Sequence, residues 1–148
     1  MEDKRLTRRL TDYWDRLRKD NPLPQWAQLN TGAISDVWGQ CSVWRVEIGR
    51  QATDSIAYTY EYVGKNTKEA MGTDMTGELF LTKFRNFPGV KLTKNIDSVV
   101  KNRVPEYDEG SFINEKQKLV KFRSCLLPFG TTEGRVTHIL LGLSWKAF

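Results

Sequence analysis

The segment Ile56 to Val63 constrains the fold more than any other, because Tyr58, Tyr60 and Tyr62 alternate there with Ala57, Thr59 and Glu61. A period of two is that of an extended strand, and a strand carrying large aromatic groups on one face has to bury that face. Cys41 to Ile48 repeats the alternation, with Trp44, Val46 and Ile48 set against Val43, Arg45 and Glu47. The polar stretch 49–54 between them predicts a β-hairpin. A lone hairpin is barely stable in water, so the rest of the chain must cover or extend it.

Three later segments, about 105–114, 118–128 and 135–146, read as further strands. In the second, Val120, Phe122 and Leu126 alternate with Lys121, Arg123 and Cys125; in the third, Ile139, Leu141, Leu143 and Trp145 alternate with His138, Leu140, Gly142 and Ser144. Gly130 to Gly134 supplies the turn that joins those two. Between the two groups of strands the pattern shifts to short helices. Asn66 and Glu69 have capping-box spacing for a helix over about 67–71, which stops at Gly72. Thr76 is placed to cap a second helix holding Leu79, Phe80 and Phe84. A third, over about 89–103, turns Val90, Ile96, Val99 and Val100 inward.

Ahead of the hairpin, residues 4–19 predict an amphipathic helix whose stripe is Leu6, Leu10, Tyr13, Trp14 and Leu17. Asn21-Pro22 ends it, since the residue before proline is pushed out of helical geometry. The stripe suits either docking on the chain's own core or a dimer or partner contact, and its spacing does not choose between them. A connector over 22–36 follows, anchored by Leu23, Trp26, Leu29 and Ile34, with a helical turn near Ile34.

The expected fold is α+β: one five-stranded antiparallel sheet with short helices on one face and an N-terminal helix. It forms one domain over 1–148, of which 1–21 is the amphipathic helix and 22–148 the core. A composition of 39% hydrophobic and 28% charged residues is that of a globular domain. The space between sheet and middle helices suits a small ligand, and Tyr58, Tyr60, Tyr62, Phe80, Phe122 and Leu141 are the candidate lining.

Several chemistries lack their residues. With one histidine, His138, on the strand face opposite Ile139 and Leu141, there is no histidine-built metal site and no inward haem ligand. Cys41 and Cys125 fall on strands, whereas a photoactive flavin site would need a helical cysteine beside a polar pocket. Asp108-Glu109 reads as a solvated turn, and no Gly-Lys-Ser/Thr phosphate cradle occurs. No catalytic set remains, so the expectation is a non-enzyme with no metal and no nameable cofactor. The longest apolar runs, Cys125–Phe129 and Ile139–Leu143, are too short for a membrane helix. With only two, unpatterned cysteines and no leader pattern, the expected location is the cytoplasm. A net charge of +5 is spread along the chain and does not by itself make a nucleic-acid site.

Three blocks carry a resemblance. Leu10-Thr11-Asp12-Tyr13-Trp14 runs on to Arg18 and Pro22-Leu23-Pro24. Tyr58 to Gly64 is followed by Gly72-Thr73-Asp74-Met75-Thr76-Gly77, and Cys125 to Phe129 pairs with Ile139 to Gly142. In this order they resemble a bacterial, mainly alphaproteobacterial, group of small stand-alone PAS-like domains. The second block is the most specific, matching an aromatic strand that ends in Gly and leads to a Gly-x-Asp-Leu-Thr-Gly turn. There Gly64, Gly72, Asp74, Thr76 and Gly77 read as an architectural motif. The chain departs from the group at Trp26, Gln28, Glu61 and Lys65, which puts the group's polar contacts in doubt. The resemblance implies a sensory module that binds a small molecule, a partner protein or both, as a homodimer or with another protein, and acts through contacts. The rivals are a cone-shaped α+β enzyme of isomerase or dehydratase type and a basic nucleic-acid-binding protein.

Overall fold

The computed structural model describes residues 4–48, 56–78 and 92–148. Its strands are β1 (Cys41–Ile48), β2 (Ile56–Val63), β3 (Glu106–Ile113), β4 (Leu119–Gly130) and β5 (Val136–Ala147). Its helices are α1 (Lys4–Arg18), α2 (Lys65–Met71) and α3 (Leu92–Asn102). Three 3₁₀ turns, Trp26–Gln28, Thr31–Ile34 and Trp38–Gln40, make up the connector between α1 and β1. The five strands form one sheet in the order β2-β1-β5-β4-β3, each neighbouring pair antiparallel. The expected middle helix with Leu79, Phe80 and Phe84, and inward Val90, lie outside the described residues.

Strand register sorts the side chains onto two faces. Trp44 pairs with Tyr60 and Ile139, Ser42 with Leu141, Leu141 with Leu126, and Phe122 with Trp145 and Gly110. These residues share one face, here called face A. Cys41, Arg45, His138, Gly142, Cys125, Arg123 and Lys121 lie on the opposite face B, because successive residues of a strand point to opposite sides. From Ser124 to Gly130 every residue of β4 is buried, so the alternation read in its first half gives way to an unbroken buried run. Both faces are covered there.

Helix α1 covers face B. Leu10 is fully buried, and a side chain on Gly142 would overlap its Cδ1 atom and come within 3.0 Å of Cys125 Sγ. Beyond Leu126 strand β3 has run out, and α1 also serves that free edge of β4. There Trp14 Nε1 donates to the carbonyl of Pro128 at 2.6 Å. Pro128 has no N–H to leave unpaired, which suits a strand position without a neighbour. Gly130 N donates to Pro24 O at 3.0 Å, so the connector closes the rest of that edge. Leu6, Leu10, Tyr13 and Trp14 are thus buried inside their own chain, with Leu17 partly buried beside them. Docking on the chain's own core, one of the two roles the stripe suits, is therefore met by face B.

Helices α2 and α3 lie over face A. Helix α2 begins two residues before the expected start. Gly64, not Asn66, holds the N-cap position; its N–H bonds to Cys41 O at 2.8 Å, and a Cβ there would collide with the backbone of Gly39 and Cys41. Asn66 is inside the helix, and its carbonyl accepts from Trp145 Nε1 at 2.9 Å. The stop is as expected, at Gly72 with φ +78°.

Helix α3 bonds both edges of the sheet. Tyr58 OH on β2 donates to Asp97 Oδ1 at 2.6 Å, while the next residue, Ser98, donates to Glu106 Oε1 on β3 at 2.9 Å. Adjacent residues of α3, met by the Tyr58 and Glu106 side chains, thus connect the first strand of the order to the last.

Candidate functional site

Tyr58, Tyr60, Phe122 and Leu141 do share face A, and all four are buried. Trp44 joins them, edge-on to Tyr60 with ring centroids 5.7 Å apart. Burial first, then the bond to Asp97, hold the Tyr58 phenol well above its usual range; burial does the same at Tyr60. Both hydroxyls stay protonated, and that of Tyr58 is the donor to Asp97.

Tyr62 does not belong to this set. The β1–β2 register slips between Val43 and Trp44, so that Val43 faces Tyr62 while Trp44 faces Tyr60. Glu61 is the extra residue of a β-bulge, and beyond it the strand's parity reverses. Tyr62 therefore sits on face B, stacked on Trp38 at 4.7 Å with an interplanar angle of 11°. Alternation in sequence runs on across a bulge, so nothing in Tyr-Glu-Tyr announced the flip. Phe80 lies outside the described residues.

Sequence reasoning missed the hydroxyls. Ser42 and Ser124 are buried on face A, and Thr67 is buried on α2; none of their oxygens has a hydrogen-bond partner among the described residues. Buried polar groups are nearly always paired, by water or ligand where protein fails. Apolar alternation hides such residues, because a serine in a strand reads as a neutral filler.

The bulge gives face B its own cluster. Glu61 Oε2 lies 3.6 Å from His138 Nε2, and Glu61 Oε1 lies 3.8 Å from Arg45. Trp26 stacks on His138 at 4.3 Å, nearly parallel, and meets Phe129 edge-on at 5.3 Å. Burial depresses the His138 pKa below the usual imidazole value; Arg45 adds to this and Glu61 opposes it. Glu61 and Trp26, two of the departures from the family pattern, thus meet at one imidazole. Gln28 is a local brace: its Oε1 accepts from Gln25 N at 2.7 Å and its Nε2 donates to Leu17 O at 3.3 Å.

The Gly72–Gly77 motif is built as architecture. Asp74 Oδ1 accepts from Thr76 N at 3.0 Å and from Thr76 Oγ1 at 2.6 Å, bonds that hold the Asp74 carboxyl below its ordinary pKa. Gly77, at φ +84°, then donates to Tyr60 O at 2.7 Å, and Tyr60 N donates to Glu78 O at 3.0 Å. The turn thereby brings the chain back to close the outer edge of β2. Asp108 and Glu109 are not the solvated turn expected of them: both lie in β3, where Glu109 Oε2 sits 3.1 Å from Arg123 Nε.

Both cysteines lie on face B, flanking Gly142 across neighbouring strands. Burial raises both thiols, Cys125 to about 12, so neither is a ready nucleophile. Among the described residues no group of His, Cys, Asp or Glu could hold a metal ion. Among the described residues no helix is long and apolar enough to cross a membrane.

Residues 2–144 match the family described as PAS domain. The chain belongs to the PAS domain family. PAS domains serve as sensory and signalling modules that bind small molecules, and this one has their five-stranded sheet with helices. Solved structures show the same fold at low identity. The dark structure of the blue-light photoreceptor Aureochrome1 LOV matches with a TM-score of 0.56 at 8% identity, covering 77% of this chain and 80% of that one. An RNA-binding light-oxygen-voltage receptor matches with a TM-score of 0.53 at 13% identity, over 82% of this chain and 35% of that one. The LOV protein of Rhodobacter sphaeroides matches with a TM-score of 0.51 at 8% identity, over 79% and 68%. Comparison with curated protein sequences finds no match.

Proposed function

We propose that this PAS domain is a non-enzymatic sensor that binds a small, partly polar molecule between face A and helices α2 and α3. The observation that carries the reading is the composition of one surface. Tyr58, Tyr60, Trp44, Phe122 and Leu141 offer an aromatic and aliphatic wall, and the Ser42, Ser124 and Thr67 hydroxyls offer unmet polar capacity beside it. A few polar groups set in an apolar lining are the usual make-up of a ligand site.

Helix α3 is the reporter in this reading. A molecule lodged under α3 shifts the Tyr58–Asp97 and Ser98–Glu106 bonds together, and with them both edges of the sheet. The change then reaches a partner protein by contact. The input is not cysteine-based photochemistry, because both thiols lie on the face away from α2 and α3, beneath α1. We place the domain in the cytoplasm, and within the bacterial stand-alone group whose motif its Gly72–Gly77 block resembles.

Native mass spectrometry of gently purified protein tests the reading. It predicts a small-molecule adduct that denaturation releases, and whose occupancy falls in Leu141→Trp, where an indole fills face A. Lys121→Glu, on face B, keeps the adduct. A native mass equal to that of the bare chain, or equal occupancy in the Leu141→Trp variant, would sink it.

A further inference from the structure

Helix α1 leaves part of face B open, where β3, β4 and β5 run beyond it. Lys121 on β4 and Lys146 on β5 stand directly opposite each other in the register. Like charges across a strand pair are destabilising, and neither lysine forms an ion pair among the described residues. Both ammonium groups sit over the Phe148 ring, at 5.0 and 5.8 Å from its centroid. Phe148 N donates to Leu119 O, and Leu119 pairs with Ile113, so the three apolar side chains form the next row on the same face. Ile113 is 50% exposed and Phe148 62% exposed. On the other side of the lysines, Tyr107, Glu109 and Arg123 border a groove of about 580 Å³ beside Thr7 of α1.

We infer that this surface docks an acidic amphipathic segment of a partner protein, its apolar side on Ile113, Leu119 and Phe148 and its carboxylates on Lys121 and Lys146. The charges choose the occupant. A second copy of the same face would set lysines against lysines, and Glu109, a carboxylate bordering this surface, is already held by Arg123. A nucleic acid or a lipid surface asks for a longer track of cations than two, and gains little from an apolar row beside them. The inference rests on the reading of the domain as one that acts by contact, and not on any ligand of face A.

The test is an amide-resolved NMR titration with a synthetic helical peptide, leucines on one side and glutamates on the other, against a second peptide with lysine for each glutamate. The acidic peptide should shift Glu109, Ile113, 119–123 and 144–148, and the basic one should not. Lys121→Glu with Lys146→Glu should weaken acidic binding by about tenfold or more and favour the basic peptide. Ile113→Ser with Phe148→Ser should abolish binding while the spectrum stays folded. Equal binding of the two peptides, shifts elsewhere, or wild-type affinity in the charge-reversed variant would overturn the inference. So would tighter binding of a poly-uridine RNA or of phosphatidylglycerol vesicles at this surface, or self-association through it. The charge-reversed variant keeps any face A adduct, so the two readings fail separately.

Discussion

Leu10 of α1 occupies the space above Gly142 that any larger residue of β5 would fill. Gly142 is flanked by Cys41 on β1 and Cys125 on β4, so Leu10 seats between three strands at once. Gly142→Ala should cost about 1–3 kcal/mol through overpacking, and Leu10→Ala about 2–5 kcal/mol through the cavity it leaves. The added methyl partly fills that cavity, so the double variant should be more stable than the sum of the two losses allows. Urea denaturation of the four proteins measures this; strict additivity would mean that the two residues do not meet.

Asn114 ties α2 to the β3–β4 turn. Its Nδ2 donates to Ala70 O at 3.0 Å, and its Oδ1 accepts from Lys116 N at 2.9 Å and Lys118 N at 3.0 Å. Asn114→Ala leaves those groups short of partners and should lower stability by about 1–3 kcal/mol. Equilibrium unfolding checks the value, and amide exchange should quicken first in the turn 114–118 and at Gly72.

His138 is the only histidine, so one imidazole signal reports it in an NMR titration. That signal should titrate below the unfolded value of about 6.5. Because the folded pKa lies lower, the unfolded chain holds the proton more strongly between the two values. Stability is therefore complete above about pH 6.5 and declines as pH falls toward the folded pKa. His138→Phe retains a ring to stack on Trp26 and should lose this part of the pH dependence. A midpoint at or above 6.5 would contradict the burial beneath Trp26.

Much of this fold was legible because strand periodicity is local. Cys41–Ile48 and Ile56–Val63 occupy the expected residues, and the three later strands lie within two residues of theirs. What escaped depends on pairs distant in sequence. The bulge at Glu61 is set by registration against Val43 and Trp44, so the face of Tyr62 could not be read from β2 alone. The stripe on α1 showed that a surface must cover it, while the choice of face B rests on Gly142, far along the chain. Asn114 is simply the end of an expected strand in the sequence, and only the fold brings Ala70 within its reach. In the candidate site the aromatic wall was visible as alternation, whereas Ser42, Thr67 and Ser124 stand out only once burial and partners are known.

Amide hydrogen exchange tests the central claim most directly, comparing the protein as purified, the same protein refolded after its small molecules are extracted, and the refolded protein with the extract returned. The account predicts that extraction loosens α3 together with Tyr58–Tyr60, Phe122–Leu126 and Leu141–Leu143, and that the extract restores their protection. Protection that never changes there, or that changes only along α1 and face B, would contradict it.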